Sequence, residues 1–270
     1  MKMQCISLAV LPLWALSAHA SVIDLGAAAT FAVLAGSTVT NTGPTLIYGN
    51  LGLTPGSAVT GFPPGALLPP GIEDIDNGPA IAAQNALTIA YDSAMGQPCT
   101  KNLTGQDLGG MTLTPGVYCF NSSAQLTGTL TLNAEGNPNA QFVFEIGSTL
   151  TTASSSIVDF INTNGGLPDP NLYWQVGSSA TLGTGTDFTG NILAETSITL
   201  DTGADIACGS ALAQNGAVTL DDNVVSIYGC ETSGGVVPEP GTAALLSMGL
   251  LLSLIVYRRQ SRKQALTKRL

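Results

Sequence analysis

Three short segments bearing hydroxyl groups, and a fourth, degenerate copy without them, recur in the second half of the chain, each two residues after a leucine. They are Thr152-Ala153-Ser154-Ser155, Thr184-Gly185-Thr186-Asp187, Thr202-Gly203-Ala204-Asp205 and the degenerate Asp222-Asn223-Val224-Val225. A single hydroxyl beside a methyl orders water only weakly. Repeated at the inter-strand distance of about 4.8 Å, such groups form a flat lattice that suits an extended, regular surface better than a small molecule. Other chemistry has little to work with. The only histidine, His19, lies in a segment read below as a leader, so Ser-His, Cys-His and imidazole–metal chemistry are excluded. The acids are scattered singly, without the pair at fixed spacing that glycoside hydrolysis needs. Asp221-Asp222-Asn223 is the densest oxygen cluster, but neither an EF-hand loop nor a glycine-rich calcium nonapeptide is present, and it reads as solvated acidic surface. Gly183, Gly185 and Gly190 are followed by no lysine and read as turn glycines, not a phosphate loop. No metal and no cofactor is expected.

Charge and export signals narrow the class. Residues 1–20 read as a secretory signal: Lys2, an apolar stretch from Ile6 to Leu16, and Ala18-His19-Ala20 before Ser21. Of the eight Lys and Arg residues one is Lys2 and six lie from Arg258 onward, so residues 21–240 hold Lys101 alone against all eighteen acids, a net charge of −17. That charge repels phosphate backbones and anionic lipid, which excludes nucleic acid as a partner. Loss of Cys5 with the leader leaves Cys99, Cys119, Cys208 and Cys230. An even number in an exported chain predicts two disulfides, and nearest-neighbour pairing gives Cys99–Cys119 and Cys208–Cys230. At the other end Pro238-Glu239-Pro240 precedes an apolar run from Thr242 to Tyr257 and a basic cluster that starts at Arg258 and Arg259. That run predicts a short apolar helix giving transient membrane anchoring, with the cluster on the cytoplasmic side. The chain thus divides into residues 1–20, one domain over 21–233, and a tail over 234–270.

The elements that must position the hydroxyls follow from the leucines. Leu113, Leu132, Leu150, Leu182, Leu200 and Leu220 are separated by 19, 18, 32, 18 and 20 residues. A period of 18 to 20 suits one turn of a β-helix with three short faces. The gap of 32 holds a loop around Asn162 to Pro170, and Val39 to Val59 adds a turn near the N-terminus. One helix interrupts the strands. Asn77 or Gly78 caps it, Pro79 suits its first turn, Ala83, Leu87, Ala90, Tyr91 and Ala94 line one face, and Gly96 and Pro98 stop it. Its apolar stripe is expected along one wall.

Several segments resemble the microbial ice-binding proteins: Phe31-Ala32-Val33-Leu34-Ala35, Leu113-Thr114-Pro115-Gly116-Val117-Tyr118, Phe142-Val143-Phe144-Glu145-Ile146, Gly190-Asn191-Ile192-Leu193-Ala194, and Ala211 through Leu220. The resemblance implies a mostly β fold, a discontinuous right-handed triangular β-solenoid with one long α-helix alongside. It also implies an ice crystal surface as ligand, held by one flat wall that often carries T-(A/G)-x-(T/N) repeats. Thr42-Gly43-Pro44-Thr45 fits that pattern fully. The expected face is therefore Thr42, Thr45, Thr152, Ser154, Thr184, Thr186, Thr202 and Ala204. The tail resembles a PEP-CTERM sorting signal of Gram-negative bacteria, with Pro238, Glu239, Pro240, Arg258 and Arg259 as its marks. That resemblance implies an exosortase, removal of the tail, and release to the cell surface or an exopolysaccharide matrix. Two other readings stand beside these. Threonine is a strand former whatever its function, and the same scaffold could serve as a matrix or adhesion protein that binds exopolysaccharide without ice activity. A polysaccharide-active enzyme would need two acids in a groove.

Overall fold

A computed structural model describes residues 22–163 and 171–228. By internal contacts the chain falls into two units, Met1–Glu231 and Thr232–Leu270. The leader over 1–20, the 242–257 run, Pro238, Glu239, Pro240, Arg258 and Arg259 lie outside the described residues.

The described chain is mostly β, with three sheets of parallel strands and one long helix. Sheet I has nine strands, in spatial order Glu73–Ile75, Asn50–Leu53, Phe31–Ala35, Ala211–Ala213, Asn191–Ala194, Leu172–Val176, Phe142–Ile146, Gly116–Phe120 and Lys101–Asn102. Sheet II has seven: Ala124–Leu126, Leu150–Thr152, Ala180–Leu182, Ile198–Leu200, Val218–Asp221, Thr38–Thr42 and Ala58–Thr60. Sheet III has eight strands, among them Thr129–Asn133, Ile157–Ile161, Asp187–Thr189 and Asp205–Cys208. The chain visits the sheets in rotation, as in Phe142–Ile146, Leu150–Thr152 and Ile157–Ile161.

The stacking order is not the chain order. Phe31–Ala35 lies between Asn50–Leu53 and Ala211–Ala213, so the N-terminal strands continue the stack beyond the C-terminal ones. Having built one end of sheet I at Glu73–Ile75, the chain resumes at the other end with Lys101–Asn102, and the helix makes the crossing. This helix, α1, covers Gly78–Met95, 18 residues or about 27 Å. Asn77 caps it by accepting the Ala80 N–H at 3.1 Å, and Gly96 ends it. Ala83, Leu87, Ala90, Tyr91 and Ala94 form its buried stripe, as the spacing predicts, and Ala80 in the first turn is buried with them. Small alanines let the helix lie close on the outer side of sheet I, against Leu34, Val117, Val143, Tyr173, Leu193 and Leu212.

The inner sides of all three sheets share one core. At one end it is aromatic: Tyr118, Phe144 and Trp174 are in register on successive strands, and the Phe144 and Trp174 rings stack 4.0 Å apart. Farther along, the same inward positions hold Ile192 and Ala211.

The leucine period needs correction. Leu113 and Leu132 pair in sheet III, whereas Leu150, Leu182, Leu200 and Leu220 lie in sheet II, where Leu150 is opposite Ala180. Inward leucines occur in strands of all three sheets, so an interval near 18 arises whether or not two strands share a sheet. The real register steps in sheet I vary, from 26 residues between Gly116 and Phe142 and 30 between Phe142 and Leu172 to 18 between Tyr173 and Asn191.

Candidate functional site

The outer faces of the three sheets differ in what they offer. That of sheet I is covered by α1. That of sheet III is mixed and anionic. Asp187 and Asp205 are direct neighbours there, near Asp159 and the exposed Ile157 and Ile161. Burial pushes the Asp187 and Asp205 carboxyls up, and their neighbouring acids push in the same direction.

The outer face of sheet II is neutral along two columns, with Asp221 at its edge next to sheet III. Its central column is Gln125, Thr151, Thr181, Thr199, Thr219, Thr40 and Thr60, each in register with the next. At strand spacing the column is about 29 Å long. Two residues earlier in the chain, about 6.6 Å away, at or just before the start of each strand, runs a second column: Ser123, Thr149, Ser179, Ser197, Ala217, Thr38 and Ala58. Eleven of these fourteen positions carry a hydroxyl, and none carries a charge. The second column is partly tied to the protein. Thr149 donates to the Ser123 hydroxyl at 2.8 Å, and the Ser179 and Ser197 hydroxyls accept the backbone N–H groups of Ser197 and Ala217. Among the described residues the hydroxyls of Thr151, Thr181, Thr199 and Thr60 have no protein partner, which leaves them to solvent.

The eight residues expected on the binding face divide at the corner between sheets II and III. Thr42, Ser154, Thr184 and Thr202 are exposed, but Thr45, Thr152, Thr186 and Ala204 are at most 3% exposed and cannot face a crystal. The cause is a slip of two residues. Thr151 opposite Thr181 puts Thr152 opposite Leu182, an inward position, and not opposite Thr184. The segments that follow are turns, with Ser155, Gly185 and Gly203 at φ of 57°, 66° and 68°, a region open to glycine and awkward for serine. Each turn sends its next residue inward. The Thr152 hydroxyl accepts the Gly183 N–H at 2.9 Å and meets the Thr186 hydroxyl at 2.8 Å, so these threonines hold the corner together. The exposed four line its edge, where a carboxylate interrupts them: Thr42 is opposite Asp221, which accepts a hydrogen bond from Thr202.

The central column was missed, although a signal for it exists. Ala180-Thr181-Leu182, Ile198-Thr199-Leu200 and Val218-Thr219-Leu220 are strict two-residue alternations whose threonine must oppose the two buried neighbours.

The expected Cys99–Cys119 disulfide is present, with Cα atoms 5.9 Å apart. Cys208 is also disulfide-bonded, and its expected partner Cys230 lies outside the described residues. Among the described residues no group of three or more His, Cys, Asp or Glu could hold a metal ion, and no helix is long and apolar enough to cross a membrane.

A parallel-β stack with one covered face, one acidic face and one neutral hydroxyl lattice presents an extended surface. Residues 33–226 match the family model described as ice-binding-like, and the chain belongs to that family. It is 56% identical over 247 residues to an ice-binding protein of Nostoc sp. (strain HG1), covering 90% of each chain. Among solved structures it resembles an ice-binding protein from an Antarctic biological consortium, at 44% identity and a TM-score of 0.73, over 81% of this chain and 96% of that one. An ice-binding protein of the Antarctic ascomycete Antarctomyces psychrotrophicus is similar at 36% identity and a TM-score of 0.70, over 79% and 100% of the two chains.

Proposed function

We propose that the protein adsorbs to ice through the outer face of sheet II and thereby inhibits ice growth and recrystallisation. The observation that carries this reading is the in-register column from Thr151 to Thr60. Two tetrahedral hydrogen bonds of about 2.75 Å separate next-nearest oxygens of ice by about 4.5 Å. Strands repeat at about 4.8 Å. The near match lets successive hydroxyls hold water in an ice-like arrangement over several strands, while the methyls leave the water between them unanchored. Threonine is stiff at χ1 and the sheet is rigid, so little conformational entropy is lost on contact. The work is adsorption and uses no catalytic group.

The finer form of the fold in this reading is a discontinuous right-handed triangular β-solenoid, supported by the rotation of the chain through three parallel sheets. In the cell, residues 1–20 direct export. Pro238, Glu239, Pro240, Arg258 and Arg259 mark a tail cut by an exosortase after transient anchoring through residues 242–257. The product belongs outside a Gram-negative cell or in its exopolysaccharide matrix. Intact-mass measurement of protein from the medium tests the sorting, and retention of the C-terminal peptide would make the tail a plain anchor.

Thermal hysteresis and recrystallisation assays on purified protein test the main reading. Ice crystals that grow unaltered at micromolar protein would leave the matrix or adhesion role in its place.

A further inference from the structure

The Cys99–Cys119 bridge is asymmetric in a way that bears on its chemistry. Cys99, just after α1, is exposed, whereas Cys119 on Gly116–Phe120 is 8% exposed beneath the helix. The neighbour of Cys119 on the next strand is Glu145, whose Oε2 lies 3.3 Å from the Cys119 Sγ. Glu145 Oε1 is buried and makes no hydrogen bond. A carboxyl that served packing alone would be expected to have both oxygens satisfied. This one leaves one oxygen idle and aims the other at sulfur.

The surrounding elements bring Glu145 no opposite charge. Gln175 follows it in register on Leu172–Val176. The helix contributes Tyr91, hydrogen-bonded to Gln175, with Asp92 and Glu195 the acids near that tyrosine. Lys101, on the edge strand beyond Cys119, is exposed. Burial pushes the Glu145 carboxyl up to about 7, against the pull of the Gln97 backbone N–H.

We propose that Glu145 is the proton donor and acceptor for Cys119 in thiol–disulfide exchange at this bridge, with a small thiol or disulfide as exchange partner. In opening, a partner thiolate attacks the accessible Cys99 sulfur. A new partner–Cys99 S–S bond forms, the Cys99–Cys119 bond breaks, and its electron pair leaves on the Cys119 sulfur. The Glu145 carboxylic acid hands its proton to that thiolate and becomes a carboxylate. A second partner thiolate then takes the first from Cys99 as a disulfide, so two partner thiols are oxidised as the protein bridge is reduced. Closure runs in reverse. The Glu145 carboxylate takes the Cys119 S–H proton, and the resulting thiolate attacks Cys99 in the mixed disulfide and expels the partner thiolate. The bridge sits where the chain re-enters the stack after α1, so closure ties down a segment whose Leu103, Leu108 and Leu113 cover the end of the core.

The test uses the full chain, reduced under native conditions and mixed with oxidised glutathione across a pH series. Acid-quenched samples are mapped by mass spectrometry. Wild-type closure is expected to rise through pH about 7, with transient glutathione only on Cys99. In Glu145→Gln closure is expected to slow by about tenfold to a hundredfold, up to the lower end of what general acid–base catalysis supplies, and its rise should move towards the free-thiol range near 8.5. Glu145→Asp, which keeps a carboxyl, should retain part of the low-pH rise. Equal rates in wild type and Glu145→Gln overturn the proposal. So does glutathione on Cys119, or a wild-type profile that rises only in the free-thiol range, and these two outcomes decide the matter even if Glu145→Gln does not fold.

Discussion

Thr40 and Thr219 are 179 residues apart in the sequence, yet they stand opposite each other on adjacent strands, and the Thr40 hydroxyl donates to that of Thr219 at 3.3 Å. This pair joins the N-terminal strands of sheet II to the C-terminal ones. Without it the threonine column would be two short pieces. Its length therefore rests on the return of the N-terminal strands to the C-terminal end of the stack.

Substitutions in the middle of the column are expected to act on the whole of it, because adsorption depends on an unbroken lattice. Thr199→Tyr and Thr181→Lys should remove most ice shaping and recrystallisation inhibition while leaving circular dichroism and melting unchanged. Thr184→Lys, at the corner edge, should cost less activity, and Thr131→Tyr on sheet III should cost none. Full activity in Thr199→Tyr would rule out sheet II as the contact.

The corner threonines make the opposite prediction. Thr152→Val keeps the volume but strands the Gly183 N–H and leaves the Thr186 hydroxyl only its bond to the Ala153 carbonyl. The expected loss is roughly 1–3 kcal/mol in urea unfolding, the cost of an unsatisfied buried group, with ice activity intact below the melting temperature. Loss of activity at unchanged stability would return Thr152 to the contact surface.

Acidic residues set the expected pH dependence. Burial raises the Glu145 carboxyl from 4.5 to about 7 and also raises Asp187 and Asp205. Within that window the folded chain holds more protons than the unfolded one, so stability falls as pH rises. Calorimetry should give a higher melting temperature at pH 5 than at pH 7.5. Glu145→Gln should flatten this slope. A slope unchanged or steeper in Glu145→Gln would contradict the burial argument.

The Cys99–Cys119 bridge closes a loop with a sequence separation of 20. Replacing both cysteines by serine should lower stability by about 3 kcal/mol in the chain-entropy model. Thermal hysteresis measured well below melting should not change, since the bridge is on sheet I and the hydroxyl column on sheet II.

Much of this protein was legible in its residues because the signals are local. Asn77, Pro79 and Gly96 bound the helix, and Ala83, Leu87, Ala90, Tyr91 and Ala94 mark its buried stripe. Lys101 is the only Lys or Arg over residues 21–240, which hold all eighteen acids, and the spacing of Cys99 and Cys119 suggests their pairing. The position of the hydroxyl face was not legible in the same way. Whether a threonine points out or in depends on the parity of its strand, and each corner turn can reset that parity, which is how Thr152 and Thr186 came to be buried while Thr151 and Thr181 face outward. Which threonines are neighbours depends on register between strands that can lie 179 residues apart, as Thr40 and Thr219 do. That register is set by backbone pairing and a shared core across the whole stack, and no stretch of sequence contains it.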